Sequence, residues 1–427
     1  MSGLRVAKVM MRLSVMRLPV LALVVSAVCA KMVFAQSVAV TDSSGQSSNE
    51  ALFHAYEKNG KYEPSVLAII KTIQSGQLHA ALVLAEEHLK VFPKSRIGHL
   101  LKADILYAQT SPLPKPGVGL ATEQATELEG LTHQLKNRWV HAEQGEDNSH
   151  NYVPASLLDM GQHEHVIVTD MAAGRLYLYK NDDGSPRLVR DYYLTVGSDG
   201  YPKRVEGDNK TPVGVYSINR YIKGDELPDL YGGGAFPVNY PNRFDRYRER
   251  TGYGIWLHGT PSDTYARSPW ASEGCFVLSN DDLGDITQYL SVENRTPVIL
   301  SDTISWTTPS ELNEIKQQAM TVLDAWKKDW ESLDTDAYLS HYSQDNFNFG
   351  SKHYKRWASR KRETNSRKTF VQIDLKLQSM FMYPGETDMF VVKYKQRYIS
   401  NNYSGQSQKE QYWKRNDAGR WKIIYEG

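Results

Sequence analysis

Near residue 163 the spacing of apolar residues changes from the three-and-four rhythm of a helix to the alternation of a strand, and near residue 308 it changes back. A chain patterned in this way is neither one bundle nor one sheet. It divides into helical, β-rich and mixed segments, and its 427 residues suffice for two to four domains. Between the two changes, "HVIVTD", "RLYLYK", "RLVRDYYLTVG", "TPVGVYSI", "GIWLHG" and "TPVILS" read as strands separated by turn residues such as "MAAG" and "NDDGSP". Short strands with Gly/Pro turns and almost no helix before Asp281 predict a mostly-β sandwich or barrel over residues 160–303.

The segment before it, residues 36–150, opens on a Ser- and Gln-rich lead-in that reads as flexible. Leu78, Ala81, Leu82, Ala85 and Leu89 then form one helical face, "VFPKS" breaks the chain at Pro93, and Ile97, Leu100, Leu101 and Ile105 form another. This pair resembles a single tetratricopeptide-type hairpin, without the further copies that a solenoid needs. After the Pro/Gly linker "SPLPKPGVG", Leu128, Leu131, Leu135 and Trp139 make a third stripe. The expectation is a small helical module whose stripes are core.

The last segment, 308–427, begins with Thr308 and Glu311 in capping-box spacing around Pro309. Leu312, Ile315, Ala319, Val322, Trp326 and Trp330 lie on one helical face, and alternating strands follow, ending in "WKIIYE". One long helix before a curved antiparallel sheet predicts an α+β cone. It resembles the NTF2-like fold in length, order and the Trp-rich first helix.

Residues 1–35 differ from the rest. Arg5, Lys8, Arg12 and Arg17 precede the apolar run "LPVLALVVSAVCA", no acid appears before Asp42, and "VFA" ends at Ala35 with small residues suited to cleavage. This reads as a secretory signal peptide rather than a retained anchor, since the apolar run is short and Lys31 interrupts its end. Without it, 45 Lys and Arg stand against 49 Asp and Glu, a net charge of −4. That balance and an exported location exclude a general nucleic-acid binder. Cleavage would also remove Cys29 and leave Cys275 as a solitary thiol. A lone thiol in an oxidising compartment is either buried and inert or reactive.

The surroundings of Cys275 favour reactivity. A thiol becomes a nucleophile beside a base, and His258 ends the strand "GIWLH" seventeen positions upstream of it. The Gly259 carbonyl is placed to bond the far ring nitrogen and set its tautomer, as an Asp does in a serine protease triad. Gly274 lets the chain bend before Cys275, so that the N–H groups of both are expected to face a developing oxyanion, and Ser272 is placed to bond the loop to itself.

The spacing "HGT…S-x-G-C", with "GDNKTPVGVYSI", "YGGGAFPVNYPN" and "GIWLHGT", resembles the L,D-transpeptidase (YkuD) catalytic domain. The resemblance implies Cys275 as nucleophile, His258 as base and Gly259 as orienting group. It implies attack on the L-centre carbonyl of a peptidoglycan stem peptide, a thioester, and loss of the D-residue, with no metal or organic cofactor. An amine acceptor makes the reaction a transpeptidation, the expected activity; water makes it an L,D-carboxypeptidation. Two positions depart from the family pattern. Glu273 stands where many members have His, and Val277 where many have an Arg, which puts recognition of the substrate carboxylate in doubt. Subgroups with such changes include cell-shape L,D-carboxypeptidases and lipoprotein-releasing hydrolases, and a YkuD-like domain followed by an NTF2-like domain resembles the cell-shape enzymes in architecture. Tyr231, Phe236, Tyr240 and Trp256 are expected to wall the substrate cleft.

A non-catalytic envelope scaffold, with protein or glycan partners held by the helical and NTF2-like segments, is the alternative from another class. A thiol–disulfide oxidoreductase is disfavoured because no second Cys is at hand to resolve a mixed disulfide. His163 and His165 read as a strand edge rather than metal ligands, for want of further ligands nearby. "KHYKRWASRKR" reads as a solvated helix face ahead of a grip on anionic polymer. The expected location is the periplasm of a Gram-negative-type envelope.

Overall fold

The computed structural model describes residues 61–117, 125–144, 151–349 and 352–427. Residues 1–35, read from the sequence as a signal peptide, lie outside the described residues, as does the lead-in. Three parts follow one another: an N-terminal set of helices, a β-rich central domain and a C-terminal α+β domain.

The N-terminal part has four helices: α1 (Tyr62–Gln74), α2 (Leu78–Val91), α3 (Arg96–Ala108) and α4 (Ala125–Gln144). The expected stripes of α2, α3 and α4, Leu89 excepted, form one core with Val66, Ile69, Ile70 and Ile73 of α1. Helix α1 was not among the sequence expectations. Its apolar residues are β-branched, which weakens a helical reading, but their spacing of three, one and three fits one helical face. Ser95 caps α3 by accepting from the Gly98 N–H at 3.1 Å.

The central domain contains β1 (Val153–Pro154), β2 (His165–Asp170), β3 (Arg175–Asp182), β4 (Ser185–Tyr193), β5 (Val196–Gly197), β6 (Gly214–Ser217), β7 (Ile222–Lys223) and β8 (Gly234–Pro237). After the short helix α5 (Arg243–Tyr247) come β9 (Trp256–His258), β10 (Trp270–Ser272) and β11 (Phe276–Val277), then α6 (Asn280–Thr287), β12 (Pro297–Ser301) and β13 (Trp306–Thr307). One sheet runs β4-β3-β2-β12-β6 and a second β11-β9-β8-β7, with β10 paired to β5. The pairs β12–β2, β11–β9 and β10–β5 are parallel. Strand β2 is buried on both faces: Ile167 packs into the core between the sheets, while Val166 and Val168 face the C-terminal domain.

In the C-terminal domain α7 (Pro309–Glu331) and α8 (Thr335–Ser340) precede β14 (Asn348–Phe349), β15 (Lys352–His353) and α9 (Tyr354–Asn365). Strands β16 (Val371–Met382), β17 (Met389–Ser400), β18 (Tyr403–Arg415) and β19 (Trp421–Glu426) complete a six-stranded sheet. The expected capping box is present: Thr308 Oγ1 accepts from the Glu311 N–H at 3.3 Å, and Glu311 accepts from the Thr308 N–H at 3.0 Å. Trp326 and Trp330 fill the cone. On α9, Lys355, Arg356, Arg360 and Arg362 are exposed while Trp357 is buried, as a solvated helix requires; Lys361 instead lies 4.7 Å over the Trp330 ring. The sheet's outer face joins the central domain through a shared core, with Phe244 stacked on Tyr412 at 4.1 Å between centroids.

Candidate active site

Strand β9 lies between β8 and β11 and carries His258 at its end. Its register with β11 sets Leu257 beside Phe276 and His258 beside Val277. Cys275 immediately precedes β11, next to Trp256 in that register. Side chains alternate along strands, so Cys275, Trp256 and His258 share one face, with the thiol diagonal to the imidazole. Parallel pairing of two segments separated by a long loop thus brings His258 and Cys275 together.

His258 is buried, at 3% exposure. Its Nδ1 lies 2.7 Å from the Gly259 carbonyl oxygen. A carbonyl only accepts, so Nδ1 carries the proton and Nε2 is left as a base. The edge of the ring meets Tyr231, centroid to centroid at 5.0 Å. Asn280 sets the backbone beneath it: its Nδ2 donates to the Thr260 carbonyl at 2.8 Å and its Oδ1 accepts from the Gly233 N–H at 2.9 Å.

The Cys275 thiol is half-buried and donates to the Gly254 carbonyl at 3.3 Å. Ser272 ties the turn before it, with Oγ donating to the Cys275 carbonyl at 2.6 Å and accepting from the Gly274 N–H at 3.1 Å. The Gly274 N–H is therefore engaged and does not face an oxyanion, contrary to the sequence expectation; the Cys275 N–H takes no part in that staple. Gly274 has φ +116°, and a side chain there would meet the Lys210 carbonyl oxygen at 2.7 Å. Thr211 closes the turn from below by donating to the Gly274 carbonyl at 3.0 Å.

Of the four aromatic residues expected to wall a cleft, two lie on the face that carries His258. Tyr231 packs on Trp256 at 4.9 Å, and both are partly exposed beside the His–Cys pair. Phe236 and Tyr240 are core residues at 2% and 6% exposure, correcting the expectation that they wall the cleft. Phe236 sits under Tyr221, and Tyr240 donates to the Thr251 carbonyl at 2.9 Å. Burying an aromatic ring between sheets is worth more than exposing it, and "YGGGAFPVNY" contains strand β8 rather than loop alone. Arg267, Asn280 and Gly254 were not singled out from sequence. Arg267 turns its guanidinium to the Ala271 carbonyl on the approach to Ser272, and burial lowers its pKa with Cys275 and Glu273 acting against that.

Burial acts on both reacting groups in the direction of neutrality. It lowers His258 to about 4 and pushes the Cys275 thiol up to about 11. Above about pH 4 the imidazole is unprotonated, and below about pH 11 the thiol keeps its proton. The resting pair is therefore imidazole and thiol. We expect kcat/KM to rise as pH passes about 4 and then stay level through neutrality. Alkylation of Cys275 by iodoacetamide should keep rising toward pH 11. Labelling already maximal at pH 7 would instead indicate a resting thiolate–imidazolium pair.

Among the described residues no group of three or more His, Cys, Asp and Glu is arranged to hold a metal. No described helix is long and apolar enough to cross a membrane.

Residues 164–300 match the L,D-transpeptidase catalytic domain, YkuD, and residues 318–427 match the Cds6 C-terminal NTF2-like domain. The chain carries a YkuD catalytic domain followed by a Cds6-type NTF2-like domain. The putative L,D-transpeptidase YafK of Escherichia coli K12 is 28% identical over 117 residues, 27% of this chain and 43% of YafK. The chain thus spans 43% of the length of that curated relative. Bd1075 of Bdellovibrio bacteriovorus is similar in structure, with a TM-score of 0.57 and 27% identity over 65% of this chain and 98% of that one. The helical cell shape determining protein Pgp2 of Campylobacter jejuni gives a TM-score of 0.54 and 26% identity, over 68% of this chain and 99% of Pgp2. The YkuD domain contains both His258 and Cys275, and the helices α1–α4 precede both matched domains.

Proposed function

We propose that the protein is a cysteine-dependent enzyme that trims peptidoglycan stem peptides, an L,D-carboxypeptidase built on the YkuD domain. The observation that carries the reading is the His258–Gly259 bond, which leaves Nε2 free as a base on the same sheet face as Cys275. On substrate binding the thiol turns from Gly254 toward His258. Sγ attacks the carbonyl of the L-centre residue as its proton passes to Nε2. The tetrahedral oxyanion collapses, the amine of the terminal D-residue leaves with the proton from His258, and a thioester remains. Water, deprotonated by the same nitrogen, then attacks the thioester and frees the shortened peptide and the thiol.

Two observations support water as acceptor. Val277 is 1% exposed and exchanges backbone hydrogen bonds with Thr195 at 2.8 and 3.0 Å, so the position that bears Arg in many relatives offers no charge to a second stem peptide. The likeness to the helical cell shape determining protein Pgp2, over 68% of this chain and 99% of that one, also fits the cell-shape architecture expected from the sequence. Transpeptidation is the second reading, favoured by the match of 117 residues to the putative L,D-transpeptidase YafK. Either reaction places the protein in the cell envelope. The NTF2-like domain would give a second hold on envelope glycan or protein.

The test is incubation of the protein and its Cys275→Ala variant with muropeptides carrying tetrapeptide stems, followed by mass spectrometry. Cys275-dependent conversion of tetrapeptide to tripeptide without dimers is expected. Crosslinked dimers or exchange of the terminal D-residue would make it a transpeptidase, and unchanged muropeptides would favour a scaffold.

A further inference from the structure

The loop from Gly259 to Gly274 joins the base to the nucleophile, and its outer side is covered by the N-terminal helices. Tyr265 stacks on Tyr62 of α1 at 5.3 Å with rings 21° apart, and meets the edge of Phe92 at 5.2 Å. With Ala266 it belongs to the helical core rather than to the catalytic domain's own. Three residues on, Ser268 fits against Gly130 of α4, where an added Cβ would stand 3.2 Å from its Oγ. Trp270 lies edge-on to His133 of α4 at 5.2 Å. Arg138 of α4 lies 3.7 Å over the Tyr193 ring, and the Tyr193 hydroxyl donates to the Arg267 carbonyl at 3.1 Å. Positions 265, 266, 268 and 270 thus turn to the helices. Arg267, between them, turns its guanidinium the other way, to the Ala271 carbonyl four residues before Cys275.

That geometry addresses the departure at Val277. A substrate ending in a D-amino acid brings a carboxylate to within a residue of the scissile bond, and the family position that often bears Arg is apolar and buried here. Arg267 is a cation on the stretch that leads to the thiol: its carbonyl accepts from Thr195 Oγ1 at 3.4 Å, Thr195 pairs with Val277 two residues beyond Cys275, and Arg267 is the first of the charges acting on the thiol, ahead of Glu273 and Lys203. Lys203 is committed, donating to Asp208 at 2.7 Å.

We propose that the N-terminal helical module is a working part of the catalytic site, holding the 259–274 loop through Tyr265 so that Arg267 stands beside Cys275 and receives the terminal carboxylate of the stem peptide. Arg267 is then the specificity residue and Tyr265 a positioning residue that acts through it. The substrate assignment rests on the stem-peptide reading above; the placing of the cation beside the thiol does not.

Two measurements separate these. The first needs no turnover: the rate of Cys275 alkylation by anionic iodoacetate relative to neutral iodoacetamide. A neighbouring guanidinium should raise that ratio, and Arg267→Gln should lower it about tenfold. Tyr265→Ala should lower it likewise, and Tyr265→Phe should restore it. Because Tyr265→Ala also empties an aromatic site, Gly130→Leu provides a second variant. It favours helix α4 while pressing on Ser268, so its effect on the ratio cannot come from a weakened helix. The second measurement compares tetrapeptide stems with a free and an amidated terminal carboxylate. The wild type should prefer the free acid through a lower KM, and Arg267→Gln should lose that preference. Tyr265→Ala should lower kcat/KM for the free acid by on the order of 10²-fold. Alkylation ratios equal to wild type in Tyr265→Ala and Gly130→Leu would overturn the role of the helices. A ratio unchanged in Arg267→Gln would overturn the role of the cation. A wild type that trims no stem peptide yet shows the expected ratios would overturn the carboxylate assignment together with the function reading, leaving the positioning intact.

Discussion

Replacing Cys275 by alanine is expected to lower turnover of tetrapeptide stems by roughly 10⁴-fold or more, while the fold persists. No neighbouring residue supplies a second thiol, since Cys275 is the one free cysteine among the described residues. The side chain is half-buried, and its hydrogen bond to the Gly254 carbonyl is made by a weak donor. Thermal melting within a few degrees of wild type, together with loss of the tripeptide product, is the expected pair of results. His258→Ala should cost a comparable factor. Its melting temperature should fall further, because the ring is buried against Tyr231 and bonded to Gly259. A Cys275→Ala protein that still trims stems would remove the thioester from the mechanism.

The second large effect lies at the junction of the helices with the central domain. Glu63 on α1 is 5% exposed and faces two buried arginines. Its Oε2 accepts from Arg138 Nε at 2.8 Å, and its Oε1 from Arg175 Nη1 at 2.9 Å. Arg175 is shared with Asp191, which its charge holds well below the usual carboxylate range against the opposing effect of burial, with His141 contributing. Glu63→Ala leaves Arg138 desolvated without a carboxylate and Arg175 with Asp191 alone. Breaking a buried pair in this way costs about 3–5 kcal/mol. The expected outcome is a lower midpoint in denaturant and faster hydrogen exchange in α1 and α4. A midpoint equal to wild type would show that the two arginines find other partners. The same variant bears on the active site, since Arg138 covers Tyr193, which holds the Arg267 carbonyl.

Much of this molecule could be read from local pattern. Helices α2, α3 and α4 announce themselves by apolar spacing, and α7 by a capping box that the structure reproduces bond for bond. These signals are legible because their partners lie within a few residues in the chain. Strand β2 was legible as a strand, but not as one buried on both faces, since its second face is covered by residues more than two hundred positions away. Phe236 and Tyr240 show the opposite error. An aromatic residue in a Gly- and Pro-rich stretch looks like a cleft wall until the sheet that buries it is known. Gly274 was read correctly as a bend, yet its N–H has another acceptor, and the direction of one N–H depends on where a single hydroxyl, Ser272 Oγ, comes to rest.

His258 and Cys275 and their separation could be picked out from the sequence itself, because a histidine, a cysteine and their flanking glycines sit in recognisable short stretches. Only the tertiary structure decided what surrounds them. Parallel pairing of β9 with β11 sets the thiol diagonal to the imidazole, Asn280 pins two loops at once, and Tyr265 is seated among helices whose nearest member in sequence ends more than a hundred residues earlier. Such contacts have no local signature. They arise from the packing of apolar faces and the pairing of buried charges across separate elements, and those follow from the fold as a whole.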